Sequence, residues 1–147
     1  MVLELSLKEK SVLVTGGNRG IGLAIALAFA DEGANVAICG RDQAALATAK
    51  AAIEARGVKA DPIAADLFTA AGCEAAIKET ADTFGSFHVL VSNASTNIGG
   101  TLETLTDDQA IERVMGKTLA AMRLSRAALP HLRAAGGGRI ICIGGRR

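Results

Sequence analysis

TGGNRGIG, residues 15–22, decides how this chain folds. It joins SVLVT (residues 11–15), a small, β-branched apolar run, to IGLAIALAFADEG (residues 21–33), which is rich in alanine and leucine. The first reads as a buried strand, the second as a helix stopped by Gly33. Gly16, Gly20 and Gly22 set the spacing G-x-x-x-G-x-G. A chain that leaves a strand, turns sharply and starts a helix close against the sheet does each of these most easily without a Cβ. The helix start then presents unpaired N–H groups and a positive dipole end, a natural seat for phosphate. The plain alternative is a tight turn that binds nothing. A P-loop is excluded, because no Gly-Lys-Ser/Thr follows.

Outward from this loop the pattern alternates. NVAICGR (35–41) is a second strand, and Asp42 is placed to N-cap the helix QAALATAKAAIEAR (43–56), closed by Gly57. VKADPIAAD (58–66) is a weaker third strand, in which Pro62 marks a bend or an edge. A helix begins near Thr69, runs through AGCEAAIKETADTF (71–84) and ends at Gly85. FHVLVSNAS (87–95) is the fourth strand. Thr106 and Gln109 form a T-x-x-Q capping box that opens a long helix over 107–136, where Pro130 is expected to kink or break the last turns. GGGRIICIGG (136–145) is the fifth strand. About five apolar strands alternating with four helices predict an α/β fold, a doubly wound parallel sheet of Rossmann type with helices on both faces. The 147 residues suffice for one domain, 1–147.

Composition removes several functions. A net charge of +1, with no basic run longer than Arg146-Arg147, argues against a nucleic-acid surface, and those two arginines read as a solvated tail. With four Phe and no Tyr or Trp, base-stacking platforms are missing. Cys39, Cys73 and Cys142 are scattered and form no metal-ligand spacing, so they read as free thiols behaving as small hydrophobes. The start MVLELSLKEK has no signal-peptide core, and the longest apolar run is too short for a bilayer. The expectation is a cytoplasmic protein with no membrane, nucleic-acid or metal partner.

The end of the second strand bears on the ligand. Dinucleotide sites that prefer NAD place an acidic residue there, on the ribose 2′-hydroxyl. This chain has Cys39-Gly40-Arg41. No carboxylate repels a 2′-phosphate, Arg41 can bind one bidentately, and Arg19 in the loop offers a second charge. NADP(H) is therefore favoured over NAD(H), the alternative being that Arg41 is only an exposed helix-start residue.

These residues resemble the short-chain dehydrogenase/reductase family. TGGNRGIG is similar to its T-G-x-x-x-G-x-G loop, and Asp66-Leu67 to the pair that contacts the adenine ring. VSNAS resembles the N-N-A-G segment, with Asn93 and Ala94 kept and Ser92 and Ser95 replacing the first Asn and the Gly. RAALPHL followed by GGGRIICI resembles the passage from the fourth helix into the fifth strand, so the likeness runs through the chain in order. It implies hydride transfer between NAD(P)(H) and an alcohol or carbonyl, with cofactor contacts at Gly16, Asn18, Arg19, Gly20, Ile21, Gly22, Arg41, Asp66, Leu67, Asn93 and Ala94. The family's catalytic set is Asn, Ser, Tyr and Lys, and here the match fails. The Asn site falls on Lys117 and the Ser site on Gly145, and no Tyr-x-x-x-Lys is present.

The resemblance thus implies a cofactor-binding part, truncated after strand five and incomplete toward its C-terminus, that is unable to transfer hydride alone. A non-catalytic dinucleotide-binding or interaction module, or a product without a selected function, would show the same residues. Lys117 reads as a solvated or structural lysine; His88, where the family often has Asp, and His131 read as packing or capping residues. Ser92, Ser95 and Thr96 lie at the mouth of strand four without a His/Asp arrangement to activate them. Strand five is expected to be an apolar edge, with Val114, Met115, Leu119 and Met122 of the fourth helix partly uncovered. The corresponding expectation is either marginal stability as a monomer or a homo-oligomer, unlike the family's, through that helix or edge.

Overall fold

The structure, a computed structural model, describes residues 4–96 and 98–144. Gly145, expected at the family's Ser position, and the Arg146-Arg147 pair lie outside the described residues. Five strands, β1 (Ser11–Thr15), β2 (Asn35–Gly40), β3 (Ala60–Ala64), β4 (Val89–Ser92) and β5 (Arg139–Cys142), form one parallel sheet in the order β3-β2-β1-β4-β5. Val14 is in register with Ile38 of β2 on one side and Val91 of β4 on the other. The order reverses at β1. Crossovers therefore run outward in both directions from the β1/β4 pair and leave a crevice at its C-terminal end.

Strand residues alternate between two cores because a strand turns successive side chains to opposite faces. Val12, Val14, Val36, Ile38, Val89 and Val91 pack against α1 (Gly20–Asp31) and α2 (Gln43–Glu54). Leu13, Ala37, Cys39, Ile63 and Leu90 pack on the other face, against α3 (Ala70–Phe84) and α5 (Ala120–Ala134). Alanine sets the spacing of these layers. In α1 the buried positions are Gly22, Ala26 and Ala30, four residues apart on one stripe, so the helix backbone lies close to the strands.

Helix starts follow the sequence signals. The Asp42 side chain accepts the Ala45 N–H, and that of Thr69 accepts the Gly72 N–H. Thr106 and Gln109 make both halves of the capping box opening α4 (Asp107–Arg113). Gly85 ends α3 in the left-handed region at φ 75°.

The long fourth helix departs from expectation. Its irregularity is a π-helical segment, Val114–Leu119, between α4 and α5, whereas α5 continues through Pro130 to Ala134. Pro130 is exposed. Its missing N–H removes a bond on the water-facing side, where solvent substitutes, so the helix is not broken there. Pro62 sits in β3, at the sheet edge, where a missing N–H is tolerated. At the opposite edge all four residues of β5 are exposed, with Ile140 and Ile141 at 37% and 39%. Val114 and Met122 are likewise about half exposed, at 55% and 50%. Cys39 and Cys73 are buried as expected of small hydrophobes, but Cys142 is exposed, because β5 has no neighbour on its outer side among the described residues.

Candidate nucleotide site at the β1/β4 crevice

Thr15, the last residue of β1, organises the crevice. Its Oγ1 accepts the backbone N–H of Asn93 at 2.9 Å and of Ala94 at 3.0 Å. In return the Asn93 amide Nδ2 donates to the Thr15 carbonyl at 3.0 Å and to the Gly16 carbonyl at 3.5 Å. These bonds lock the ends of β1 and β4 together. The chain then turns at Gly16, φ 65°, and its N–H is held by the Cys39 carbonyl at 2.8 Å. Gly22 allows the closest approach: a Cβ there would lie 2.1 Å from the Gly16 carbonyl oxygen. Gly17 is as constrained, since a Cβ would meet Ile38 Cγ2 at 2.5 Å.

The loop delivers an open helix end. α1 begins with Arg19 as its N-cap, in extended conformation and without a side-chain cap, and no acid sits in its first turn. α2, α3 and α4, by contrast, are each capped by a side-chain oxygen. The first-turn N–H groups of α1 are therefore left to an incoming acceptor, and the dipole favours an anionic one.

These elements enclose a cavity of about 400 Å³. Gly16, Asn18, Arg19, Gly20, Ile21 and Gly22 line its loop side. Arg41 and Leu67 line one end, and Asn93 and Ala94 the other. Of the residues expected to contact a cofactor, Asp66 is the exception. It is exposed outside the lining, and its Oδ1 accepts the Phe68 N–H at 3.0 Å, tying it into its own turn. Arg19 and Arg41 are exposed, and among the described residues neither pairs with a carboxylate. The adjacent Asp42 is occupied in capping α2.

Several lining residues carry no local signal in the sequence. Phe68 lies under Arg41, with the guanidinium carbon 5.9 Å from its ring centroid. The same ring abuts Gly116 of the π segment, where a Cβ would come within 2.9 Å of it. Ser95, Ala65 and Gly40 complete contacts set by tertiary packing, although the Gly-Arg ending of β2 hinted at Gly40, whose space is taken by the Asn18 side chain.

Lys117, expected at the position of the family's Asn, is half-buried and engaged with backbone carbonyls. Its Nζ donates to the Asn93 carbonyl at 3.1 Å and to that of Ala94 at 3.4 Å, and burial lowers its pKa below the ordinary lysine value. His88 Nδ1 accepts the Ser11 N–H at 3.0 Å, and the His131 ring lies 6.4 Å from that of Phe87. Ser92 is buried, and Ser95 donates to the Thr96 carbonyl. Burial pushes the Cys39 thiol up to about 12 and raises that of Cys73, which leaves both thiols protonated and unreactive. Among the described residues no three His, Cys, Asp or Glu side chains gather to hold a metal, and no helix is long and apolar enough to cross a membrane.

A doubly wound parallel sheet with a glycine loop and an uncapped helix at its switch point defines the Rossmann class of nucleotide-binding folds. Within that class the chain belongs to the short chain dehydrogenase family, which it matches over residues 10–146. It is 38% identical over 140 residues to the ketoacyl reductase HetN of Nostoc sp. strain PCC 7120, covering 94% of this chain and 48% of that protein. A short chain dehydrogenase from Burkholderia cenocepacia, solved in complex with NADP, superposes with a TM-score of 0.87 at 37% identity, over 95% of this chain and 56% of that one. An NAD+-bound xylitol dehydrogenase superposes with a TM-score of 0.88 at 25% identity, over 93% of this chain and 53% of that one. The chain spans about half the length of the curated relatives it matches.

Proposed function

We propose that these 147 residues are the cofactor-holding part of a short chain dehydrogenase and that they bind NADP(H) in preference to NAD(H). The observation that carries the reading is the pairing of an uncapped α1 with two arginines that have no carboxylate partner among the described residues, all on one cavity. The cavity volume lies in the range of small-molecule sites. The first turn of α1, from Gly20 to Gly22, would hold the pyrophosphate, and the closeness of Gly22 to Gly16 leaves the backbone as the approaching surface. Leu67 and Phe68 would border the adenine, and Arg41, with Arg19, would hold a 2′-phosphate. Asp66 contributes through its turn. Asn93 and Ala94 would flank the nicotinamide end. The B. cenocepacia relative solved with NADP and the NAD+-bound xylitol dehydrogenase support a dinucleotide of either kind, and the preference rests on the two arginines.

When bound, the cofactor supplies the hydride-exchanging ring. The acid/base chemistry is another matter. The sequence has no tyrosine, and the family's Asn position carries Lys117, engaged with two carbonyls. We therefore expect no carbonyl reduction from these residues alone. An oxidoreductase activity would draw its acid from residues outside this stretch, and without them the chain acts as a dinucleotide-binding module.

Titration with NADPH and NADH, read by reduced-nicotinamide fluorescence, tests the reading. Saturable NADPH binding tighter than NADH binding is expected. Arg41→Ala should weaken NADPH about tenfold to a hundredfold, the worth of one hydrogen-bonded charge, and leave NADH nearly unchanged. Binding of neither nucleotide would overturn the proposal.

A further inference from the structure

We infer that Lys117 is a positioning residue for the phosphate loop, gripping the chain end of β4 and, through Asn93, fixing Gly16 for the cofactor. The inference rests on the cofactor reading above. β4 ends at Ser92, whose carbonyl still receives the Ile143 N–H from the β5 side. Beyond it the carbonyls of Asn93 and Ala94 point away from the sheet ladder, and Lys117 Nζ bonds both. The N–H groups of the same two residues both go to Thr15 Oγ1. The dipeptide is thus held on its donor side by β1 and on its acceptor side by the π segment.

The grip reaches the loop through one side chain. Asn93 Nδ2 bonds the Thr15 and Gly16 carbonyls and lies 3.1 Å from where a Gly16 Cβ would be. Gly22, in the first turn of α1, lies close against both: a Cβ there would come 2.1 Å from the Gly16 carbonyl oxygen and 2.5 Å from Asn93 Nδ2. If Asn93 shifts, the turn that aims the α1 N-terminus shifts with it. A lysine makes this contact because its ammonium carries three donors and can satisfy two carbonyls together, and charge-assisted bonds are the stronger kind. The π segment makes it reachable: Gly116 is packed against Thr96 and Phe68 with no room for a Cβ, bringing the backbone of Lys117 close to the end of β4.

The clamp acts on the side of the cavity where Gly16 and Asn93 lie, that of the phosphate loop and the nicotinamide end, and makes no contact with Arg41. That asymmetry makes the test. NADPH would span the whole cavity, whereas adenosine 2′-monophosphate, which has no 5′-phosphate, would engage only the adenosine end. Both ligands are titrated against the wild type, Lys117→Met and Lys117→Arg. Lys117→Met keeps the stem and loses the donors; it should weaken NADPH roughly tenfold while leaving the 2′-monophosphate within about twofold. Lys117→Arg, with donors restored, should recover most of the NADPH affinity. If Lys117→Met does not fold, Lys117→Gln, whose shorter amide cannot span both carbonyls, is read the same way. Equal loss for both ligands would mean general damage and overturn the inference, as would no loss for either. A wild type that binds neither ligand would overturn the cofactor reading and this inference together. A wild type that binds both while Lys117→Met matches it overturns this inference alone.

Discussion

His88 shows how one residue ties the sheet to pH. Its Nδ1 accepts the Ser11 N–H while its own N–H and carbonyl join the ladder to Ser11 and Arg139. Nδ1 can accept only when unprotonated, which fixes the neutral ring with its proton on Nε2. Burial first, and the nearby Lys10 ammonium second, lower the His88 pKa below its ordinary 6.5. A depressed pKa means that the folded chain binds the proton less readily than the unfolded one. The resulting stability is fully present above about pH 6.5 and is lost as the pH falls through the folded-state value. Asn offers an oxygen near the place of Nδ1 and does not titrate. His88→Asn should therefore flatten the acid limb of stability, measured as urea midpoints across the mildly acidic range. Parallel wild-type and variant curves would remove His88 as the cause.

The same scale shows what a sequence exposes. Gly16, Gly22, Asn93 and Arg41 were legible because each answers a local demand, such as a left-handed turn or a strand end that must bear a particular charge. The contact of Phe68 with Arg41, and the space Gly17 yields to Ile38, depend on residues far away in the chain and leave no local mark. Asp66 was legible as a motif, but its side chain turns into an Asx-type bond with Phe68 N–H instead of lining the cavity.

Among the elements, strands and helix caps were read well and the fourth helix was not. Caps are local chemistry, so Asp42, Thr69 and Thr106 act where their spacing puts them. Pro130 looked like the weak point because proline breaks an isolated helix. Facing water, it is accommodated. The true irregularity at Val114–Leu119 comes from tertiary contact: Gly116 lets Phe68 and Thr96 press against the helix, and Lys117 reaches the end of β4. A π turn of this kind is frequent at functional sites and has no composition of its own. Its dependence on Gly116 is testable. Gly116→Ala would place a methyl 2.5 Å from Thr96 Cγ2 and 2.9 Å from Phe68 Cζ. Overpacking of this sort destabilises by about 1–3 kcal/mol, read as a lower urea midpoint. An unchanged midpoint would mean that the segment relaxes without its glycine.

At the scale of the molecule, the two sheet edges differ. β3 protects its edge with Pro62 and the adjacent charged Asp61, which makes a poor template for another strand. β5 has no such device. Ile140 and Ile141 point to opposite faces and both are more than a third exposed, so neither face of the strand is covered. On the helical layer beside it Met122 and Leu129 are 50% and 40% exposed. A parallel sheet is normally buried on both faces, so this margin is where the described structure departs most from its own fold class. Two routes can cover it: further chain, as the greater length of the relatives allows, or a second copy of this one. We propose that the isolated 147 residues take the second route and self-associate through the β5 edge. Sedimentation velocity should show a concentration-dependent rise in mass, and Ile141→Lys, which puts a charge on that margin, should shift the population toward monomer without lowering NADPH affinity, because Ile141 does not line the cavity. A wild type that stays monomeric at every concentration would place the margin among tolerated exposed edges. Self-association undisturbed by Ile141→Lys would move the contact to the outer face of α5, where Met122→Lys becomes the deciding variant.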